Sequence, residues 1–497
     1  MLLEITDLRV AFGDVVALDG VSFSIDKGER VGLVGEAGSG KSLVALAIAR
    51  LLPKAAVMTG GIKLDAPSIA IVRQDDHPSP DPLKRASELV ADRTLLEALG
   101  VPADRFASEL TPAQRQLLLV AMAIARKPDL LILDEPFVLL DAPGQRRLVD
   151  VLAARTMAML VIGHDLAAVA ILTSRVLILE KGKVIEAGPT GDVFSRPSQD
   201  YSKSLIAGAR IRARTLMRSP IGTDLLDVNG VSVTYPDRQR IFRRKPAVTA
   251  LDKVSFTLRR GEALALVGAD GAGKSTLARL IAGLGKAKRG TLAFERMVYR
   301  GRDLPRLLRK EISLVFPDPR FAFNPELSLG ASVTEPLLLD ENHTIEEQSE
   351  RLVEVLRAVR LTPDHLDLYP RDLGLYDLQC LALARALMAR PKLVVLDEPV
   401  RLLHNRQRVE MLMLINRLRA DFGFSAIITA SNLELVRHIA DRALVLDAGR
   451  IVDEGTPGAL LETPGHPATQ AMADARLPEV GIGVVAPVGR QSSRARL

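Results

Sequence analysis

Gly35–Ser42 reads GEAGSGKS and follows the apolar run Val31–Val34. Glycines at Gly35, Gly38 and Gly40, with Ser39 among them, let backbone N–H groups converge on phosphate oxygens at the amino end of a helix. Lys41 then brings a positive charge to the β and γ phosphates of a nucleotide, and Ser42 offers a hydroxyl to magnesium. The same pattern returns as GADGAGKST at Gly268–Thr276, where Gly268, Gly271, Gly273, Lys274, Ser275 and Thr276 hold the matching places. Each copy lies between an apolar β run and an apolar helical stretch, the context that gives the motif its meaning. A chance glycine-rich turn does not explain two copies in one repeated setting.

The repeat extends outward from these cradles. LLEITDLRVAF at Leu2–Phe12 returns as LLDVNGVSVTY at Leu225–Tyr235, and VALDGVSFSIDKGE at Val16–Glu29 as TALDKVSFTLRRGE at Thr249–Glu262. LLILDEP (Leu130–Pro136) returns as LVVLDEP (Leu393–Pro399). A period this long marks two domains rather than solenoid units. The reading is a first domain over 1–207, a basic linker over 208–223, a second domain over 224–475 and a tail over 476–497. Lys41 and Asp134 are 93 residues apart, Lys274 and Asp397 123 apart, while Leu110–Asp134 and Leu373–Asp397 both span 24. The extra length of the second half therefore lies between its P-loop helix and the helix before its LDEP strand. Within each half, apolar β runs alternate with Ala/Leu/Arg helical stretches, which predicts an α/β fold around a mostly parallel sheet covered by helices.

Composition narrows the function classes. Of 497 residues, 47% are hydrophobic and 25% charged, which excludes a mainly disordered, collagen-like or coiled-coil chain. The net charge of +6 is weak over this length and does not point to nucleic acid. One cysteine, Cys380, excludes a disulfide framework and a four-cysteine metal site and suits a reducing cytoplasm. Apolar runs such as Leu117–Ala125 are too short to span a bilayer, and MLLEITDL does not read as a signal peptide. A membrane role would therefore come through a partner.

The two LDEP segments supply the rest of the phosphate chemistry. An aspartate ending a buried strand beside a P-loop can hold magnesium, directly or through water, and Asp134 and Asp397 take that place. The following Glu135 and Glu398 can polarise an attacking water. The plainer alternative is that Asp-Glu caps the next helix. Phe12 and Tyr235, at matching ends of an alternating β run, are placed either to stack on adenine or to pack into the core.

The paired P-loops and LDEP strands resemble the ATP-binding subunits of ABC transporters over nearly the whole chain. PDPRFAFNP (Pro317–Pro325), LYPRDL (Leu368–Leu373), RPSQDYSKSL (Arg196–Leu205) and TPGHPATQAM (Thr463–Met472) resemble segments of the di/oligopeptide and nickel importer branch. The resemblance implies two P-loop ATPase domains in tandem, each with a parallel core, an antiparallel β part and a helical subdomain. It implies ATP and Mg2+ as ligands, pairing of the two halves within the chain, docking on integral membrane permease subunits at the cytoplasmic face, and supply by an extracytoplasmic solute-binding protein. Gln74 matches the loop glutamine that senses the nucleotide and contacts the membrane subunit, which places it among the nucleotide and metal ligands, His164 the switch histidine near the γ-phosphate, and Asp141 the aspartate of the loop after LDEP.

The second half departs from that pattern. Gln74, His164 and Asp141 face Pro317, Ser431 and His404. The signature, LSGGQ in the family, reads Leu110-Thr111-Pro112-Ala113-Gln114 and Leu373-Gly374-Leu375-Tyr376-Asp377. Pro112 has no N–H to give a phosphate, and Gly374 lacks the serine hydroxyl. The expectation is an ATPase with unequal composite sites. A nucleotide-dependent regulatory module with little hydrolysis is the alternative, and a soluble tandem protein acting on ribosomes fits the charge and the short linker less well. Cargo is left open by the sequence.

Overall fold

The computed structural model describes residues 1–36, 38–73, 79–209, 221–235, 248–339, 344–403 and 405–477. Among these, 1–209 build most of one compact unit, and 221–403 with 407–475 build the other. The expected linker over 208–223 falls mainly, and the expected tail over 476–497 almost wholly, outside the described residues.

The first unit is organised by a six-stranded sheet in the order Ile69–Val72, Leu130–Asp134, Ala158–Ile162, Arg30–Val34, Arg175–Glu180, Lys183–Pro189. The first five run parallel and the last antiparallel. LLILD and AMLVI are buried along their whole length, as expected of parallel strands covered on both faces. Alternate side chains serve different cores. Val31, Leu33, Leu130, Ile132 and Leu160 pack with the P-loop helix Lys41–Ile48 and an antiparallel sheet. Leu131, Leu133, Met159 and Val161 pack with the helix Pro112–Ala125. The antiparallel sheet has the order Val15–Ile25, Leu3–Phe12, Ala56–Leu64.

The second unit repeats this plan. Its six-stranded sheet runs Ile312–Val315, Leu393–Leu396, Ser425–Ala430, Ala263–Val267, Arg442–Asp447, Arg450–Gly455. Its antiparallel sheet has a fourth strand, Met297–Tyr299, and its helical part carries the 14-residue helix Ile345–Ala358. These two elements sit in the interval that the spacing marks as longer. The expected α/β class, with parallel cores, antiparallel sheets and helical parts, is the fold observed. No described helix is long and apolar enough to cross a membrane.

An arginine–glutamate pair is among the ion pairs that tie the two sheets together in each unit. Arg175 Nε donates to Glu29 Oε1 at 2.8 Å and its Nη2 to the Ser24 carbonyl at 2.6 Å. Arg442 Nε does the same to Glu262 Oε1 at 2.8 Å, and its guanidinium also reaches the Thr257 carbonyl. Glu262 is almost fully buried. Removing its partner leaves a buried charge unpaired, which typically costs about 3–5 kcal/mol. Arg442→Ala is therefore expected to lower stability by about that amount in chemical denaturation, and Arg442→Ala with Glu262→Gln to recover much of the loss.

Candidate functional site

The first cradle lies at the carboxyl end of the central strand Arg30–Val34, where open α/β sheets bind ligands. A Cβ on Gly35 would stand 2.3 Å from the Leu179 carbonyl oxygen, and one on Gly40 2.5 Å from Leu18 Cδ2. Gly40 also has φ 102° and opens the helix Lys41–Ile48, a conformation that favours glycine. The carbonyl of Ser39 accepts from Gly182 N–H at 3.0 Å, which fixes the loop against the neighbouring hairpin. Lys41 is buried, and its ammonium donates to the carbonyls of Gly35 (2.9 Å) and Glu36 (2.7 Å). Burial pulls its pKa below the ordinary lysine value against the opposing charges of Glu135, Asp134 and Glu36. The Glu36 N–H donates to the hydroxyl of Tyr201 at 2.8 Å.

Asp134 and Glu135 reach this cradle from the strand Leu130–Asp134, with Ala158–Ile162 lying between it and the central strand. Burial pushes the Asp134 carboxyl up to about 6, although the Ser42 hydroxyl pulls the other way. Among the described residues its Oδ1 has no hydrogen-bond partner. Glu135 has φ 54°, and its N–H donates to the Ile162 carbonyl at 2.9 Å. Its Oε2 lies 2.7 Å from His164 Nδ1. Burial would raise the Glu135 carboxyl, but His164 and Lys41 outweigh it and hold it below the usual range.

The second cradle has the same backbone and different side-chain partners. Gly273 has φ 108°, and a Cβ on Gly268 would meet the Leu446 carbonyl oxygen at 2.4 Å. Lys274 donates to the carbonyls of Gly268 (2.8 Å) and Ala269 (3.1 Å). Asp397 Oδ1 accepts from Ser275 at 2.9 Å and Thr429 at 2.7 Å, while its buried Oδ2 has no partner among the described residues. Burial raises the Asp397 carboxyl against these two hydroxyls. Glu398, at φ 45°, meets two cations: Oε1 is 3.2 Å from Lys274 and Oε2 2.6 Å from Arg401. Arg401 also reaches Asp270 in the P-loop at 2.9 Å. Burial works to raise Glu398, and Lys274 and Arg401 hold it low.

Both cradles suit a triphosphate with a hard divalent cation. Glycines leave room for close approach, a lysine carries the countercharge, and a carboxylate oxygen beside a P-loop serine is buried without a partner among the described residues. Among the described residues no cluster of three His, Cys, Asp or Glu side chains could hold a metal by itself.

The sequence model of the ABC transporter family matches residues 18–138 and 251–401, once around each cradle. The chain belongs to this family of ATPases. It is 28% identical over 564 residues to the glutathione import ATP-binding protein GsiA of Pectobacterium atrosepticum, covering 95% of this chain and 89% of that protein. It is 27% identical over 552 residues to the same-named protein of Escherichia coli strain K12, with the same coverage. Among solved structures, cbiO1 from Clostridium perfringens, part of the ABC transporter complex cbiONQ, matches 48% of this chain and 92% of its own at 24% identity and a TM-score of 0.42.

The ABC signature positions start helices in both units. Thr111 caps Pro112–Ala125, its Oγ1 accepting from Gln114 N–H at 3.2 Å while Gln114 Oε1 accepts from Thr111 N–H at 3.1 Å. Gly374 opens Leu375–Met388 with no side-chain cap. Asp141 caps Ala142–Ala153 by accepting from Gly144 N–H at 2.8 Å. Phe12 is partly buried against the core, whereas Tyr235 is 49% exposed. Gln74 and His404 lie outside the described residues. Sequence reasoning passed over Asp270, Arg401, Thr429 and the contact of Tyr201. The first three stand opposite Ala37, Val138 and Ile162 in the repeat, so the signal was a polar residue in one half against an apolar one in the other.

The raised pKa of Asp134 fixes a sign. A carboxyl that titrates near 6 when folded and near 3.8 when unfolded destabilises the fold as pH rises through that interval. Asp134→Asn should therefore raise the Tm of the nucleotide-free protein at pH 7–8, by at most about 3 kcal/mol in stability, and the gain should vanish below about pH 4. Melting curves of both proteins across pH check this.

Proposed function

We propose that the chain is the ATP-hydrolysing subunit that energises an importer of peptide-type solutes, and that its first site performs the hydrolysis while its second mainly holds ATP. The observation that carries the site assignment is the contrast between Glu135, which faces His164, and Glu398, which faces Arg401 and Lys274. The import role is supported by the names of the two relatives, which match 95% of the chain. On this reading the chain docks on permease subunits at the cytoplasmic face, is fed through them by an extracytoplasmic solute-binding protein, and pairs its two halves as ABC ATPases do.

The residues of the first site divide the work by their chemistry. The glycine-rich backbone and Lys41 bind the β and γ phosphates, the lysine exchanging the carbonyls of Gly35 and Glu36 for phosphate oxygens. Ser42, Asp134 and Gln74 would hold Mg2+, which neutralises charge on the phosphates when bound. Ser275 and Asp397 would hold it in the second site, beside Lys274 and Thr276. Glu135 accepts a hydrogen bond from the water that attacks the γ-phosphorus in line, and His164 orients that carboxylate. Phe12 and Tyr235 are the residues proposed to meet adenine.

The assignment is tested by turnover in the assembled complex. Glu135→Gln should reduce it by about 10²-fold or more, since general-base assistance is typically worth that much. Glu398→Gln should leave most of it. Loss with Glu398→Gln and retention with Glu135→Gln would reverse the assignment.

A second expectation concerns the signature opposite the first site. Gly374 has φ −71° and a Cβ there meets nothing within 4 Å. Gly374→Ser should therefore fold without strain, stabilise its helix by about a few tenths of a kcal/mol, and raise ATP turnover. Steady-state kinetics and melting curves measure both.

A further inference from the structure

Glu398 and Glu135 share the same backbone conformation, at φ 45° and 54°. Their difference therefore lies in what meets the carboxylate. Glu135 keeps Oε2 on His164. Glu398 has a cation on each oxygen, and its side chain is only 7% exposed. Of these two cations, Lys274 is the one that a triphosphate claims. Arg401 is held independently of nucleotide. One nitrogen lies 2.6 Å from Glu398, another lies 2.9 Å from Asp270, and its carbonyl accepts from Arg408 at 3.2 Å. Arg408 also donates to the Leu403 carbonyl at 2.6 Å, which pins the turn after LDEP.

We propose that Arg401 is a positioning residue that clamps Glu398 to Asp270 of the P-loop and thereby keeps the second site from hydrolysing the ATP it holds. This rests on the unequal-site reading above and adds its cause. A carboxylate whose oxygen is saturated by a guanidinium is a poor acceptor for a proton from water, because the charge-assisted bond is shorter and stronger than one to water. The guanidinium also offsets one of the two negative charges, those of Glu398 and Asp270, beside the place of the triphosphate. ATP binding thus survives while activation of water is lost. The first half has neither end of the clamp, since Ala37 and Val138 stand at the two positions.

The test transplants the first half's residues into the second. In the full chain carrying Glu135→Gln, Asp270→Ala with Arg401→Val removes the clamp and keeps the local charge balanced. At saturating Mg-ATP this triple variant should hydrolyse at least about fivefold faster than Glu135→Gln alone. Adding Glu398→Gln should return the rate to that of Glu135→Gln, a dependence that loosened packing would not produce. Arg401→Gln in the same background carries the test by the same criterion if the triple variant does not fold or bind ATP. An unchanged or lower rate, with radiolabelled ATP still bound, overturns the clamp and leaves the site assignment intact. If Glu135→Gln alone keeps wild-type turnover and Glu398→Gln abolishes it, Glu398 works with Arg401 in place, and both the assignment and the clamp fall.

Discussion

A lysine ammonium buried at the end of a parallel sheet has to be met by oxygen. Lys41 and Lys274 are each met by two carbonyls of their own loop. Those carbonyls converge only because the loop has no side chains in the way, and the loop has that shape only because Gly35 and Gly268 press against the Leu179 and Leu446 carbonyls. The hairpin turns at Gly182 and Gly449 close the arrangement by donating to Ser39 and Ala272. A phosphate group offers more charge than the carbonyls and the same geometry of acceptors. Much of the surrounding fold serves to hold this charge in position, including the buried strands that end at Asp134 and Leu396.

Around that shared frame the two halves differ in how they treat the carboxylate after LDEP. In the first, the partner is His164, which meets the carboxylate through its ring and its backbone N–H. In the second, Lys274 and Arg401 each take one oxygen, and Thr429 adds a hydroxyl to Asp397 where the first half has Ile162.

The parts legible in the sequence were those whose chemistry is local. The P-loops, the LDEP strands and the repeat itself depend on short runs whose residue types allow little else. The longer interval in the second half also translated directly into an added strand and helix. The clamp was not legible, because Asp270 and Arg401 are 131 residues apart, Asp270 at a P-loop position that the motif leaves open and Arg401 just beyond LDEP. An arginine in a loop reads as solvated until the fold shows a carboxylate on each side of it. The Tyr201 contact was hidden for a similar reason. Its segment resembles one in the importer branch, and nothing local points that hydroxyl at Glu36. Phe12 and Tyr235 share a place in the repeat but differ in exposure, so equal position did not bring equal surroundings.

The extension that carries Tyr201 is anchored by an acid on the last strand of its sheet, with Glu186 accepting from Ser198 and Gln199. Asp453 plays the same part in the second unit, accepting from Gly465 and Thr469. Among the described residues the first extension alone also reaches its phosphate loop, since Ala468 stands where Tyr201 does. A pull or push on that segment, from whatever grips it, is therefore felt as a tilt of the Gly35–Glu36 peptide, whose carbonyl is one of the two that hold Lys41. The amino-terminal half is wired to its own periphery through a phenol, and the described residues of the carboxy-terminal half show no such wire.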